Sequence, residues 1–311
     1  MARPPFAIVF VSLLAAGCSV AVYENEIKSF KDSTDIAAST FVAYSRGAGE
    51  VAARNDLRAL ILANKGALVA LSDDCDKWVN GQQAGRPCRV VVNDTDVTPQ
   101  KDVGQANLVA AMKALSEYAG SLEAVASSKD IDEATASIGS LVKDVGGLIQ
   151  KLPSAQAEQK SIEAAVGPIT GMVTWVAGNY LTYKRYTALK QATARVQPAL
   201  AGGRARLNEW ATAVKNDYAQ ARLVEFTVTS KLIKASASTD PLPIVIAQQK
   251  YASEVAAIIN AKPNGMFDAM VDAHGALTQA LDDPSRQTEA LSKSIQAFKK
   301  AADDLAALFT K

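Results

Sequence analysis

Apolar side chains recur along most of this chain with the spacing of an α-helix. In the clearest stripes an apolar residue returns every three or four positions, so that one side of a helix is apolar and the other is polar. The clearest stripes run through residues 108–125, 131–152, 244–258, 266–281 and 291–308. This pattern predicts a set of amphipathic helices that share one apolar core.

A longer helical pattern covers residues 23–71. Two glycines within it, Gly47 and Gly49, coincide with a shift in the phase of the apolar stripe, and glycine is a weak helix former. We expect one long helix here, or two helices if the glycines divide it.

A second long pattern covers residues 154–238, with Gly167-Pro168 inside it and, further on, Pro198 with Gly202-Gly203. Proline lacks the N–H of a helical hydrogen bond, so we expect an interruption at each of these points. Short breaks between amphipathic helices are typical of antiparallel neighbours. The sequence therefore predicts an all-α fold, an elongated and mostly antiparallel bundle of six to eight helices.

The first residues have the pattern of a secretory signal. Arg3 gives a positively charged start, and residues 6–16 form an uncharged apolar run. A helix that spans a bilayer needs about 20 such residues, so this run is too short to be one. The pattern predicts a signal peptide that is cleaved on export.

The apolar run ends in Leu14-Ala15-Ala16-Gly17-Cys18. This string resembles the lipobox of bacterial lipoproteins, although Ala15 holds the place in which that family usually has leucine. The resemblance implies that Cys18 carries a diacylglycerol, that the chain is cut just before it, and that the new terminus receives a further acyl chain such as palmitate. The other interpretation is an ordinary signal peptide with a cysteine there by chance.

The lipoprotein resemblance also implies a domain division and a location. Residues 1–17 are then the signal peptide, and residues 18–311 form the helical domain. In that family a residue other than Asp after the cysteine, here Ser19, favours the outer membrane. We therefore expect a lipid-anchored protein of the cell envelope, on the periplasmic face of the outer membrane.

Residues 73–102 depart from the helical pattern. They contain Cys75 and Cys88, and the run Arg89-Val90-Val91-Val92, with three β-branched valines, is typical of a strand. Two cysteines in an exported chain are most simply a disulfide, because zinc needs further ligands and the spacing is not that of a redox motif. We expect a disulfide-containing loop excursion or a small hairpin at one end of the bundle.

Positive and negative charges balance in this chain, with 33 Lys and Arg against 32 Asp and Glu. Nucleic-acid binding normally requires a basic face, so no nucleic-acid partner is expected. The chain is 49% hydrophobic and 21% charged, which is the balance of a globular protein. The partners that we expect are the lipid bilayer, through acylated Cys18, and an envelope protein.

An uncharged segment of the chain, residues 164–183, lies between Glu163 and Lys184. Two interpretations of this segment are open. In the first it inserts into a membrane, and the architecture then loosely resembles the helical pore-forming toxins of the cytolysin A type. In the second it is a helix buried at the bundle centre. Three tyrosines, each three residues after the last, lie at the C-terminal end of the segment, as in an aromatic belt at a membrane interface. The residues that represent the segment are Val166, Ile169, Met172, Trp175 and Leu181, and the tyrosines are Tyr180, Tyr183 and Tyr186.

No set of residues supplies a nucleophile, a base and oxyanion donors together, so we expect no catalysis. His274 is the only histidine, which excludes metal sites built from several histidines, and its place near an apolar stripe is typical of a structural residue. The acidic residues within 73–102 lack the spacing of a calcium-binding EF-hand loop. We expect no metal and no cofactor.

These observations favour a membrane-anchored, periplasmic helical lipoprotein that acts as a non-catalytic protein-interaction or envelope-maintenance module. The alternative is a membrane-active helical protein that uses residues 164–183. The first interpretation requires that this segment stay buried, and the second requires that it become exposed. A sensor of a small ligand between helices is a third interpretation, which no particular residue supports.

Overall fold

The chain folds mainly into helices in the computed structural model. The structure describes Val20 and residues 23–63, 69–71, 90–92, 95–96, 103–152, 180–235, 242–283 and 288–307. Within these ranges the helices are α1 (Glu24–Ala63), α2 (Val103–Ser127), α3 (Ile131–Lys151), α4 (Tyr180–Ala235), α5 (Leu242–Asn260), α6 (Pro263–Asp282) and α7 (Thr288–Ala306). Three short strands are β1 (Val69–Leu71), β2 (Val90–Val92) and β3 (Thr95–Asp96). The predicted all-α bundle is confirmed, with a small sheet added to it.

Polar contacts along α1 and α2 show that these helices are antiparallel. Lys31 of α1 lies 4.0 Å from Glu123 of α2. One turn later on α1, Asp35 accepts a hydrogen bond from Ser116, which lies two turns earlier on α2. The chain then turns back into α3 at Asp130, whose side chain accepts a hydrogen bond in the first turn of that helix.

Contacts between α1 and α6 show that these two helices are also antiparallel. Tyr23, just before α1, donates a hydrogen bond to the carbonyl of Ala280 near the end of α6. Phe41, further along α1, packs on Phe267 near the start of α6, with 5.1 Å between the ring centroids. The last helix, α7, packs against both α1 and α6.

The long helix α4 runs parallel to α1, because it too is antiparallel to α6. Tyr186 near the start of α4 donates a hydrogen bond to the carbonyl of Leu281 near the end of α6. Asn208, six turns later on α4, donates to Asp268 near the start of α6 at 3.0 Å. The bundle is therefore mostly antiparallel between neighbours in sequence, with α1 and α4 as parallel neighbours at its centre.

The beginnings of α1 and α4 lie together at one end of the bundle, which we call the tyrosine end and which contains Val20, Tyr23 and Tyr186. The hydroxyls of Tyr23 and Tyr186 bond to Ala280 and Leu281, which are consecutive residues in the last turn of α6. Val20 is 1% exposed at this end. The described chain therefore begins at the tyrosine end.

Two long helices continue through residues at which the sequence pattern allows an interruption. α1 has 40 residues and continues through Gly47 and Gly49, so the glycines do not divide it. α4 has 56 residues and continues through Pro198, so the predicted interruption there is wrong. Pro198 is exposed, whereas Val196 and Leu200 beside it are fully buried, so packing on both sides holds the helix across the missing hydrogen bond.

The short strand β1 corrects the prediction that residues 23–71 are helical throughout. Its last residue, Leu71, pairs with Val90 in an antiparallel ladder between β1 and β2. A run of three apolar residues fits a helix or a strand equally well, and the strand partner lies about 20 residues away. Sequence periodicity alone therefore assigns this run wrongly.

The strand prediction for residues 89–92 is confirmed over β2. β2 pairs antiparallel with β1 and with β3, and Val92 pairs with Thr95 across a two-residue connection that is typical of a hairpin. The predicted disulfide between Cys75 and Cys88 lies outside the described residues.

The apolar stripes that the sequence predicts on α2, α3, α6 and α7 form the core. Ile131 is an exception, because it lies at the first residue of α3 and is 43% exposed. Of the described helices, none has a stretch that is long and apolar enough to cross a membrane. The largest fully buried side chains include Phe30, Phe41, Tyr44, Leu108, Met112, Leu115, Tyr118, Leu122, Phe267 and Phe298.

Candidate interaction surface on the helical arm

A helical hairpin extends along the second half of α4. We call it the arm, and it consists of residues 211–235 of α4 and all of α5. Lys215 donates a hydrogen bond to the carbonyl of Ile259 at the end of α5, and Arg222 pairs with Glu254 one to two turns earlier on α5, so the two helices are antiparallel. α6 packs along the first half of α4, so α5 and α6 lie end to end on it.

An ion cluster between α4 and α5 holds the arm together. Arg222 lies 2.7 Å from Glu225 and 3.5 Å from Glu254. Its guanidinium also lies over the ring of Tyr218, 5.5 Å from the centroid. Burial lowers the pKa of Arg222, but Tyr218 and the two carboxylates outweigh it and leave that pKa above its ordinary value. Arg222 therefore stays charged and links α5 to α4.

The first helix covers one side of the arm. Tyr44 meets Tyr218 edge to face with 5.0 Å between the ring centroids, and Asn55 donates a hydrogen bond to the carbonyl of Ala221. Burial, and then the neighbouring Tyr218, raise the pKa of the Tyr44 hydroxyl. This side of α4 is therefore occupied, whereas Leu223 on another side of the same helix is 50% exposed.

The open side of the arm exposes large apolar side chains. Among the side chains that the structure describes, seven large hydrophobic residues are exposed, and five of these belong to the arm. Exposed large apolar side chains that gather in one region of a protein commonly mark an interaction site. We call these five residues the apolar face of the arm. They are Leu223 (50% exposed), Leu242 (59%), Val245 (44%), Ile246 (57%) and Ile259 (56%).

This apolar face lies far from the tyrosine end. Tyr186 marks the tyrosine end on α4, and Leu223 marks the apolar face on the same helix. At a rise of 1.5 Å per residue, the two positions are about 55 Å apart. The molecule therefore presents the start of its described chain and its exposed apolar face at well-separated places.

A buried hydrogen-bonded group surrounds the only histidine of the chain. His274 is fully buried in α6, with its Nε2 atom 2.8 Å from the Tyr118 hydroxyl and its Nδ1 atom 2.6 Å from Oε1 of Gln197. Burial lowers the pKa of His274 to about 3, so the ring is neutral. An amide oxygen accepts from Nδ1–H, and Nε2 therefore accepts from Tyr118. The group joins α2, α4 and α6 and is structural, as the sequence predicts.

Most of the predicted site residues lie outside the described ranges. Leu181 is described, and it lies half-buried near the start of α4. Tyr186 does not belong to an interfacial belt, because it is 8% exposed and bonded to α6, whereas Tyr183 is 58% exposed. The residues outside the described ranges are Cys18, Cys75, Cys88, Val166, Ile169, Met172 and Trp175.

Sequence reasoning did not identify the apolar face of the arm. It assigned one apolar stripe to residues 244–258, and part of that stripe does face α4: Ile258 is buried, and Tyr251 meets Phe226 with 6.0 Å between the ring centroids. A signal was available, since only Lys250 and Glu254 are charged among the 19 residues of α5. A helix with so few charges has more apolar surface than one neighbour can cover.

The chain matches no known protein family, no curated protein and no solved structure. In the described part of the chain, no three metal-ligating side chains come together. Among the described residues, the exposed apolar side chains of the arm are therefore the candidate site.

Proposed function

We propose that this protein is a lipid-anchored, non-catalytic helical module on the periplasmic face of the bacterial outer membrane, and that it binds a protein partner through the apolar face of the arm. The observation that carries this proposal is the exposure of five large apolar side chains on the arm, each between 44% and 59% exposed. A partner that covers them removes apolar surface from water, which contributes favourably at about 25 cal/mol per Å².

The position of the chain start supports the proposed anchor. Cys18 precedes Val20 by two residues, and Val20 is buried at the tyrosine end. Two or three acyl chains on Cys18 would hold this end at a bilayer, since each buried CH₂ contributes about 0.8 kcal/mol. The apolar face would then lie about 55 Å along α4 from the anchor.

A disulfide between Cys75 and Cys88 belongs to the same proposal. The pairing of Leu71 with Val90 supports it, because Cys75 follows the first of these residues by four positions and Cys88 precedes the second by two. In the chain-entropy account, closing so short a loop stabilises the fold by about 3 kcal/mol.

Intact-mass measurement on the protein from its native bacterium, after membrane fractionation, tests the anchor and the disulfide together. We expect membrane-bound protein that begins at Cys18, carries acyl groups and gains two hydrogens on reduction. A soluble and unacylated protein would contradict the anchor. A mass that does not change on reduction would contradict the disulfide.

Two charges placed on the apolar face test the binding role of the arm. Val245→Glu with Ile246→Glu should release the partner, because each new carboxylate would lose its water in the interface. The matched control is Gln296→Glu with Ala297→Glu, at two adjacent, exposed and neutral positions on α7. On native electrophoresis of detergent extracts, the parent and the control should migrate as a complex and the arm variant as a single chain. A parent that migrates as a single chain contradicts the proposal.

The second candidate function is membrane activity through residues 164–183. The observation that favours it is the position of Tyr180, the first residue of α4, near the tyrosine end at which the proposed anchor lies. Tyr183 and Ile131 are exposed nearby, since Arg185 of α4 bonds to the end of α2 just before α3 begins. Dye release from vesicles by the full chain would support this second function, and intact vesicles at saturating protein would oppose it.

A further inference from the structure

The outward side of α5 carries a stripe with the spacing of a coiled-coil seam. Its members are separated alternately by three and four residues, which is the a and d spacing of a heptad repeat. Each of them is exposed, and the opposite side of α5 faces α4 through Tyr251 and Ile258. The members of this stripe, which we call the α5 seam, are Leu242, Val245, Gln249, Ala252, Ala256 and Ile259.

The α5 seam carries no charge. The two charged residues of α5 are elsewhere: Glu254 faces α4, where it pairs with Arg222, and Lys250 lies on the other flank of α5 at 100° of rotation per residue. A charged seam would select a partner of opposite sign and would repel its own copy. A neutral seam can meet an identical seam without repulsion.

The sizes of the side chains along the α5 seam favour one orientation of such a pairing. Leu242, Val245 and Ile259 are large and lie towards the two ends of the seam, whereas Ala252 and Ala256 are small and lie in its second half. A parallel pairing would set large against large and alanine against alanine, which leaves space between the helices. An antiparallel pairing sets each alanine against a longer side chain, and the facing pairs are Leu242 with Ile259, Val245 with Ala256 and Gln249 with Ala252.

We propose that the partner of the arm is a second copy of this chain, bound in a two-fold symmetric pair with its α5 antiparallel to the first. This inference rests on the proposed function, for which it names the partner. Two arms then form a four-helix arrangement, in which each copy supplies one helical hairpin.

The antiparallel pairing also fixes where the two tyrosine ends lie. The centre of the α5 seam lies level with Phe226 of α4, because Tyr251 contacts that residue. Phe226 is about 60 Å from Tyr186 along the helix, so a two-fold axis there sets the two tyrosine ends about 120 Å apart in opposite directions. Both anchors can reach one membrane if the pair lies along its surface.

Cysteine crosslinking in native membranes tests the pair and its orientation. Ala252→Cys places a thiol near the two-fold axis, about 4.5 Å along the axis from its copy, and the control Leu242→Cys places thiols about 25 Å apart. Copper phenanthroline should give a reducible band of twice the chain mass with Ala252→Cys. It should give none above the parent background with Leu242→Cys, and Val245→Glu with Ile246→Glu should abolish the Ala252→Cys band.

Other outcomes overturn the inference in distinguishable ways. Equal bands from Ala252→Cys and Leu242→Cys would indicate parallel helices and overturn the antiparallel pair. Crosslinking of Ala252→Cys to a protein of different mass would overturn the second copy as partner and leave the proposed binding role of the arm in place. No crosslink from Ala252→Cys, together with a parent that migrates as a single chain, would overturn both.

Discussion

Tyr23 and Tyr186 donate hydrogen bonds to consecutive carbonyls of one helix, to Ala280 at 3.1 Å and to Leu281 at 2.5 Å. Carbonyls in the last turn of a helix have no partner within it, so the two hydroxyls complete the end of α6. The same bonds hold the beginnings of α1 and α4 together. They place the residues nearest to the predicted lipidation site at one end of the bundle, remote from the apolar face of the arm.

Removal of one of these hydroxyls should weaken the fold. Tyr186→Phe leaves the Leu281 carbonyl without this donor in a buried place, and we expect the free energy of unfolding to fall by about 1–2 kcal/mol. Urea denaturation of the purified protein measures this change. Thr182→Val, which removes a hydroxyl at an exposed position near the start of the same helix, is the control and should change it by less than about 0.5 kcal/mol. Equal losses in both variants would contradict the structural role of Tyr186.

The buried histidine should make the fold sensitive to acid. The pKa of His274 is about 3 in the folded protein and 6.5 in the unfolded chain, so between these values the unfolded state binds a proton that the folded state does not. The stability is complete above pH 6.5 and falls as the pH decreases towards 3, by about 1.4 kcal/mol per pH unit. We expect a loss of about 3 kcal/mol at pH 4.5 from this residue.

The contribution of His274 can be separated from that of the carboxylates, which also titrate in acid. His274→Gln keeps a polar group but cannot be protonated, so its stability should change less between pH 6.5 and 4.5 than that of the parent. Urea midpoints at a series of pH values give the difference. Identical pH profiles for parent and variant would show that the ring is not buried and neutral.

A methyl group at Gly275 should destabilise the same group of residues. A Cβ atom there would lie 3.0 Å from Nε2 of Gln197, which is held by its bond to His274. We expect Gly275→Ala to lower the free energy of unfolding by about 1–2 kcal/mol. Gly139→Ala on α3 meets nothing within 4 Å and should raise it by up to about 1 kcal/mol, because alanine favours the helix. The same sign for both changes would contradict the packing described here.

These core contacts show how far local periodicity predicts the fold. The stripes on α2, α3, α6 and α7 were predicted correctly because each helix has one polar and one apolar side. The sequence predicts an interruption at Pro198 because the cost of a proline in a helix is local, whereas the packing of Val196 and Leu200 that offsets this cost comes from other helices. Strand β1 depends on β2, which lies about 20 residues away, and no local pattern shows this partner.

The arm shows which part of the candidate site cannot be predicted from the sequence. The apolar residues of α5 look alike in the sequence, and Ile258 and Ile259 are neighbours in the chain. In the structure the first is 6% exposed and the second 56%, because only one side of α5 meets α4. Which apolar side lacks a neighbour depends on the assembly of the whole bundle and cannot be predicted from one helix alone.

Loss of the central cation of the arm should loosen α5. Arg222→Met removes the ion pair of Glu225, which is 5% exposed, and we expect a loss of about 3 kcal/mol in the free energy of unfolding. Amide hydrogen exchange in Arg222→Met should be faster than in the parent, and the increase should be larger in α5 than in α6. Arg206→Met is the control, because its pair with Glu209 is more than 60% exposed on both sides and contributes less than about 1 kcal/mol. Equal exchange in α5 of parent and Arg222→Met would contradict the role of the cluster.

Site-specific photo-crosslinking in the native bacterium tests the central claim most directly. A photoreactive residue at Ile246 lies on the apolar face of the arm, and one at Gln296 lies at an exposed position on α7. We expect ultraviolet light to give a crosslinked protein adduct in the membrane fraction from Ile246 and none from Gln296. Absence of any adduct from Ile246, or equal adducts from both positions, would contradict the account of the arm as a partner-binding surface.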